Sequence, residues 1–116
     1  MKILNNQEFE VLIQTDFGDF ISFLYPFDLK SDLKIDIIEL HTLYAKNIFL
    51  NYNQEYLIQK TEEGYFSYKV TGKYIGNNKI QIDNCFFILD SPVPKDIEIG
   101  QFVSFEFLKS DCIISN

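Results

Sequence analysis

The sequence predicts a mainly β fold, an antiparallel β-sandwich or small β-barrel of about seven or eight short strands, as a single domain over residues 1–116. Apolar and polar residues alternate along most of the chain, which is typical of half-buried strands, and Val, Ile, Phe and Tyr supply the apolar positions. Turn-forming residues recur about every 8–12 residues, a spacing found in small sandwiches and barrels. An α+β fold with one short helix is the alternative.

The N-terminal half contains strand patterns separated by turn signals. EFEVLIQ (residues 8–14) and GDFISFLY (residues 18–25) are predicted strands on either side of a turn at Asp16–Gly18. EYLIQ (residues 55–59) is predicted as a strand that is joined to the next one through Thr61–Gly64. Glycine and aspartate tolerate the backbone angles that tight turns require, which supports both connections.

Residues 31–50 are compatible with either a helix or strands. A helix is supported by Ser31 as a cap and by an apolar stripe at helical spacing from Leu33 to Tyr44. Strands are supported by the β-branched residues of the same stretch, because such residues lose side-chain freedom in a helix. We favour strands here, with a turn near Ala45–Asn47.

The C-terminal half carries the clearest strand pattern. YFSYKVTGKYI (residues 65–75) and KIQIDNCFFIL (residues 79–89) are each predicted as one strand, and Gly76–Asn78 joins them as a hairpin. Glycine and asparagine tolerate the positive φ angles that the tightest hairpin turns need. The end of the second segment is apolar on both sides, so both of its faces are expected to be covered.

A loop containing two prolines (residues 90–100) leads to the last predicted strand, IEIGQFVSFEF (residues 97–107), since proline cannot donate to a β-ladder. Alternation directs one set of side chains of this strand towards the core: Ile97, Ile99, Val103, Phe105 and Phe107. Phe102, Ser104 and Glu106 lie on the opposite face, which is expected to contact a neighbouring strand or a partner.

The chain is strongly acidic. Seventeen acidic residues against ten lysines, with no arginine, give a net charge of −7. An acidic field repels polyanions, and the lack of arginine removes the planar group that best recognises phosphate and guanine. Nucleic acid and anionic membranes are therefore not expected as partners.

No apolar run approaches the roughly 20 residues that span a bilayer, and the first residues lack the apolar core of a secretory signal. We therefore expect a cytoplasmic protein with no membrane partner. In that compartment Cys85 and Cys112 are expected to be free, mostly buried thiols.

Few residues suit catalysis or cofactor binding. His41 is the only histidine, expected as a partly buried ring with a backbone partner, and neither cysteine lies close in sequence to a basic residue that would activate it. One histidine and two distant cysteines do not match a zinc site, and the glycines are too scattered for a phosphate-binding loop. We expect no catalytic residue, no metal and no cofactor, and hence a protein that is not an enzyme.

Tyrosine and acidic residues occur together in stretches that suit protein contacts, because tyrosine offers rigid contact area and acids steer a basic partner. These stretches are Glu55–Tyr56, Glu62–Tyr65 and the loop from Asp90 to Glu98. The residues predicted to bind a partner are Glu62, Glu63, Tyr65, Asp90, Asp96, Glu98, Phe102 and Glu106.

Size, charge and the lack of catalytic motifs favour a bacterial immunity or inhibitor protein that neutralises a basic, nuclease-like toxin by direct binding. The expected partner is thus a basic protein. The alternative is a non-catalytic small-barrel interaction module of a larger cytoplasmic assembly. A small enzyme or ligand carrier that uses a barrel interior is the third class.

Overall fold

The computed structural model describes residues 2–7, 10–24 and 37–115, and the side chains of residues 10–23 and 37–113. Over these ranges the chain forms strands and no helix, which confirms the predicted mainly β class. The strands are β1 (Lys2–Gln7), β2 (Glu10–Thr15), β3 (Gly18–Leu24), β4 (Ile37–Leu43), β5 (Lys46–Leu50), β6 (Leu57–Lys60), β7 (Tyr68–Gly76), β8 (Lys79–Ile82), β9 (Cys85–Ile88), β10 (Phe102–Phe107) and β11 (Lys109–Ser115).

The strands form one mixed sheet that curls into a half-barrel. Its order is β1-β2-β3-β11-β4-β9-β8-β7-β10-β5, and β6 also pairs with β7. Most neighbours are antiparallel, as predicted, but β11 runs parallel to β3 and β9 runs parallel to β4. Both parallel pairs join strands far apart in sequence, because no short turn can connect parallel neighbours.

The sequence allowed either a helix or strands over residues 31–50, and strands were favoured. The described part, residues 37–50, forms the strands β4 and β5. Residues 31–36 lie outside the described residues. The turn between the two strands is at Tyr44–Ala45, and Asn47 has a positive φ of 53°. Asn47 lies where the register of β5 against β10 shifts, so the edge strand carries a bulge.

The strand predictions made from alternation are wrong at two places. Residues 79–89 form two strands instead of one, because the chain turns at Asp83, whose φ is 50°, and β8 pairs with β9 as a hairpin. Residues 97–101 lie in the loop before β10, so Ile99 is 72% exposed instead of buried. In both stretches apolar residues continue across a turn, and alternation alone does not reveal the break.

The core is centred on four fully buried phenylalanine rings from β3, β9 and β10: Phe20, Phe87, Phe105 and Phe107. The ring of Phe87 lies 5.5 Å from that of Phe20 and 5.7 Å from that of Phe105, measured between centroids. Val103 is also fully buried, so the predicted core face of residues 103–107 is confirmed. Tilted and edge-on contacts at these distances stabilise aromatic cores beyond area burial.

β7 is the strand around which the sheet bends. It pairs with β10 on one side, while on the other side it pairs with β6 along Tyr68–Thr71 and with β8 along Lys73–Gly76. Gly72 lies at the changeover, and a Cβ atom there would be 2.8 Å from Cγ2 of Ile80. Glycine therefore allows β8 to approach closely at the bend.

The curled sheet meets itself where the β2–β3 turn touches β6. The amide of Ile58 donates to the carbonyl oxygen of Phe17 at 3.1 Å. Gly18 has a φ of 140°, and a Cβ atom there would lie 2.2 Å from the carbonyl oxygen of Ile58. Nearby, the amide of Ile21 donates to the buried hydroxyl of Tyr68 at 3.0 Å. We call the contact between Phe17–Gly18 and Ile58 the seam.

Replacing Gly18 by alanine is expected to destabilise the protein by about 2 kcal/mol or more, because the methyl group meets backbone at the seam in addition to straining φ. Gly100→Ala is the matched control, since Gly100 also has a positive φ, 97°, but its Cβ position has nothing within 4 Å. Urea unfolding measures both variants. Equal losses of unfolding free energy would contradict a close contact at the seam.

Candidate binding surface

Three connections lie together at one end of the half-barrel: β4 to β5, β6 to β7, and β10 to β11. Their solvent-accessible side chains form one surface, which we call the turn surface: Tyr44, Lys46, Glu62, Glu63, Tyr65, Glu106 and Leu108. Connections between strands are a common place for a contact site, because a rigid sheet holds them while their side chains reach solvent.

Tyr44 stands out on the turn surface because of its backbone. Its φ is 58° and its side chain is 72% exposed. A bulky residue rarely adopts this left-handed conformation, which costs about 1–3 kcal/mol and persists only where surrounding contacts impose it. The Asp90 carboxylate supplies them: Oδ2 accepts the amide of Tyr44 and Oδ1 accepts the amide of Ala45, both at 2.8 Å. Ser91 Oγ donates to the carbonyl oxygen of Ala45 at 2.9 Å.

The connection from β6 to β7 is equally constrained. The ammonium group of Lys60 donates to the carbonyl oxygens of Thr61 and Gly64. The buried hydroxyl of Ser67 accepts from the amide of Gly64 at 2.9 Å and from Oγ1 of Thr61 at 2.6 Å. Tyr65, which is 64% exposed, is therefore presented from a braced turn.

Leu108 links the three connections through one apolar contact and one backbone hydrogen bond. The Tyr65 ring packs edge-on against Phe66, with centroids 4.7 Å apart. Leu108 packs against the same turn, because a Cβ atom at Gly64 would lie 3.2 Å from Cδ1 of Leu108. The amide of Leu108 also donates to the carbonyl oxygen of Leu43, directly before Tyr44, at 3.0 Å. Leu108 thus lies between the turns that carry Tyr44 and Tyr65, and we call these three side chains the apolar centre of the turn surface.

Charged groups surround this centre. Lys46 Nζ lies 2.6 Å from Oε1 of Glu63, and both side chains are about half exposed, so the ion pair contributes little to stability. Oε2 of Glu106 accepts a hydrogen bond from Nδ2 of Asn47 at 2.6 Å. Glu62 is exposed beside Glu63. The turn surface therefore carries three carboxylates and one ammonium group, and the ammonium group of the exposed Lys60 lies beside it.

The structure brings together five of the eight residues predicted from sequence. Glu62, Glu63, Tyr65 and Glu106 belong to the turn surface, and Asp90 supports it from below through Tyr44 and Ala45. The other three, Asp96, Glu98 and Phe102, lie elsewhere. Asp96 and Glu98 are exposed in the loop before β10, and Phe102 is half-buried at the opposite end of that strand, 5.0 Å from the Tyr56 ring.

Sequence reasoning did not identify Tyr44, Lys46 or Leu108 as parts of this surface. The left-handed backbone of Tyr44 depends on Asp90, 46 residues away, so no local pattern announces it. Leu108 could have been noticed in the sequence. It directly follows Phe107, and two consecutive apolar residues interrupt the alternation at the end of β10.

The histidine and the two cysteines do not belong to the turn surface. The His41 ring is partly buried, as predicted, with a side chain that is 44% exposed, but its Nε2 lies 3.7 Å from Oε2 of Glu39, a carboxylate instead of the expected backbone group. Among the described residues no three His, Cys, Asp or Glu side chains are grouped to hold a metal ion.

Cys85 and Cys112 are buried thiols that form no disulfide, as expected. Burial, with a smaller effect of Asp83, raises the pKa of Cys85 to about 12. Burial, with a smaller effect of Cys85, raises the pKa of Cys112 to about 12. The two thiols are on strands separated by β4, where the Cα spacing of about 9–10 Å is too long for a disulfide.

Comparison of the chain with models of known protein families, with curated proteins and with solved structures finds no match. Within residues 10–24 and 37–115 there is no helix of the length and hydropathy that a membrane crossing requires.

Asp90→Ala is expected to lower the free energy of unfolding by about 1–3 kcal/mol, because two backbone amides of the Tyr44–Ala45 turn lose a charged acceptor. Asp96→Ala, which removes an exposed acid from the same loop, should change it by less than about 0.5 kcal/mol. Urea unfolding of both variants provides the measurement. If the two variants were equally stable, Asp90 would not be what holds the turn.

The two thiols are expected to be inert in the folded protein. With a pKa of about 12, only about one thiol in ten thousand is ionised at pH 8, and the thiolate is the reactive form. Ellman's reagent should therefore detect no rapid reaction in buffer and two equivalents in concentrated guanidinium chloride. Rapid modification of one cysteine in buffer would show that its surroundings are open.

Proposed function

We propose that the protein is a non-catalytic binding protein for a basic protein partner and that the turn surface is its contact site. The observation that carries the proposal is the exposed Tyr44, held at positive φ by both oxygens of Asp90. Backbone strain that surrounding groups maintain is concentrated at functional sites. Nothing in the packing of the core requires an exposed aromatic ring at this position.

The energetics of protein association favour such a surface. Tyrosine combines a large ring with a polar tip and few rotatable bonds, so fixing it on a partner loses little entropy. Tyr44 and Tyr65 are presented from braced turns, which lowers the ordering cost further. A pair of aromatic anchors beside Leu108 resembles the centre of an interface, where a few residues supply most of the binding energy.

Charge supports a basic partner. The chain carries a net charge of −7, and Glu62, Glu63 and Glu106 border the aromatic centre. Opposite fields raise association rates to about 10⁸–10⁹ M⁻¹s⁻¹ at low salt, and they discriminate against acidic competitors. The same field disfavours nucleic acid as a ligand.

Within this class, we favour an immunity or inhibitor protein that neutralises a nuclease-like toxin in the bacterial cytoplasm. A nuclease must hold a polyanion, so its active-site region is basic and offers a complementary target to an acidic domain. Fast, steered association suits an inhibitor, because a toxin has to be neutralised before it acts.

The test is capture followed by an activity assay. The immobilised protein, incubated with a lysate of its source cells, is expected to retain a basic nuclease and to abolish the activity of that nuclease at a one-to-one ratio. The association rate should fall steeply as salt is added. Retention of a multi-subunit assembly without nuclease activity, and without salt dependence, would instead support the interaction-module alternative.

Variants locate the contact on that partner. Tyr44→Ala and Tyr65→Ala are each expected to weaken binding about tenfold or more while leaving urea unfolding nearly unchanged. Tyr52→Ala is the matched control, because Tyr52 is 85% exposed in the loop between β5 and β6, away from the turn surface. Equal losses for all three variants would place the contact elsewhere.

Charge reversals test the steering separately. Glu62→Lys and Asp16→Lys change the net charge identically, but Asp16 lies in the β2–β3 turn near the other end of the half-barrel. Stopped-flow mixing should show a slower association for Glu62→Lys than for Asp16→Lys. Equal rates would mean that total charge alone guides the encounter.

A further inference from the structure

A cavity of about 120 Å³ opens at the end of the half-barrel opposite the turn surface. It lies between the β5–β6 connection and the middle of β7. Its lining residues are Asn51, Asn53, Glu55, Tyr56, Leu57 and Thr71. Glu55 is the charged residue among these six, so the cavity favours a positively charged group.

Hydrogen bonds hold the floor of the cavity in place. Thr71 Oγ1 and the fully buried Ser104 Oγ are 2.6 Å apart. Nδ2 of Asn51 donates to the same Ser104 oxygen at 2.8 Å, while Oδ1 of Asn51 accepts the amide of Asn53 at 2.9 Å. A ligand would therefore meet a preformed pocket, which lowers the entropic cost of binding.

Tyr56, which lines one side of the cavity, is part of a row of three aromatic rings. Tyr56 stands between Phe17 and Phe102, with centroid separations of 4.9 and 5.0 Å. The ammonium group of Lys73 lies 5.9 Å from the centroid of Phe102. The protein thus already places one cation on this row, as expected from the negative faces of aromatic rings.

We propose that this cavity binds the guanidinium group of an arginine. A planar guanidinium stacks on an aromatic ring and pairs with a carboxylate at the same time, which the compact ammonium of lysine does less well. Tyr56 supplies the ring and Glu55 the carboxylate. The chain itself contains no arginine, so the group comes from another molecule, either a peptide segment or the free amino acid.

The cavity is separate from the turn surface, and the proposal does not depend on the nature of the protein partner. The test is an NMR titration of the ¹⁵N-labelled full chain with N-acetyl-arginine N-methylamide at constant ionic strength. Saturable shifts are expected for the amides of residues 51–57 and of Thr71. Glu55→Gln should weaken binding about threefold or more. Glu62→Gln, which removes the same charge at the other end, should leave it unchanged.

Two further ligands test whether the cavity prefers a guanidinium group and whether that group belongs to a peptide or to free arginine. N-acetyl-lysine N-methylamide should bind more weakly than the arginine compound. Free arginine, added in parallel, separates the sources: equal binding indicates a small-molecule ligand, and weaker binding indicates arginine within a peptide. Non-saturable shifts, equal binding of the lysine compound, or unchanged affinity in Glu55→Gln would each overturn the proposal. Because Glu55 is exposed, its variant is expected to fold normally.

Discussion

The seam between Gly18 and Ile58 is the contact on which the rest of the structure depends. A sheet whose central strands were flat would leave Phe20 and Phe87 covered on one side only. Because the β2–β3 turn touches β6 backbone to backbone, the sheet curls and these rings enter a common core. A side chain at position 18 would hold the two backbones apart. Glycine at position 18 thus permits the backbone contact that closes the curled sheet, as Gly72 permits the close approach of β8 at the bend.

Curvature also determines where the two candidate sites lie. β6 is only four residues long, with the seam and the Tyr56 row at its start and the braced turn of Tyr65 at its end. The same strand therefore places the candidate cavity at one end and the turn surface at the other. Hydrogen bonds hold Asp90 against Tyr44 and Asn51 against Ser104, so both candidate sites are preformed in the folded chain.

Local sequence patterns predicted much of this fold. Alternation and turn residues located β2, β3, β6, β7 and the Gly76–Asn78 turn, because these features depend on neighbouring residues alone. The turn at Asp83 was not predictable from alternation. All residues from Cys85 to Ile88 are apolar, so the pattern does not show which of them face the core. The parallel neighbours were not predictable either, because they pair distant segments.

The difference between local and long-range contacts also explains which residues of the candidate site could be predicted from the sequence. Glu62 and Tyr65 were identifiable because acids and tyrosine are adjacent in sequence, and the turn that holds them is local. Tyr44 was not, since its conformation is imposed by Asp90 from a different part of the sheet. Residues whose role depends on tertiary contacts are visible only in the folded chain.

β11 has a consequence for biosynthesis. It lies between β3 and β4, and the buried hydroxyl of Ser22 donates to the carbonyl oxygen of Ser110, 88 residues later. Until residues 109–115 leave the ribosome, β3 and β4 each present an open edge, which is where nascent chains are prone to aggregate. A translating ribosome therefore carries an incomplete sheet until β11 has been made and has inserted between β3 and β4.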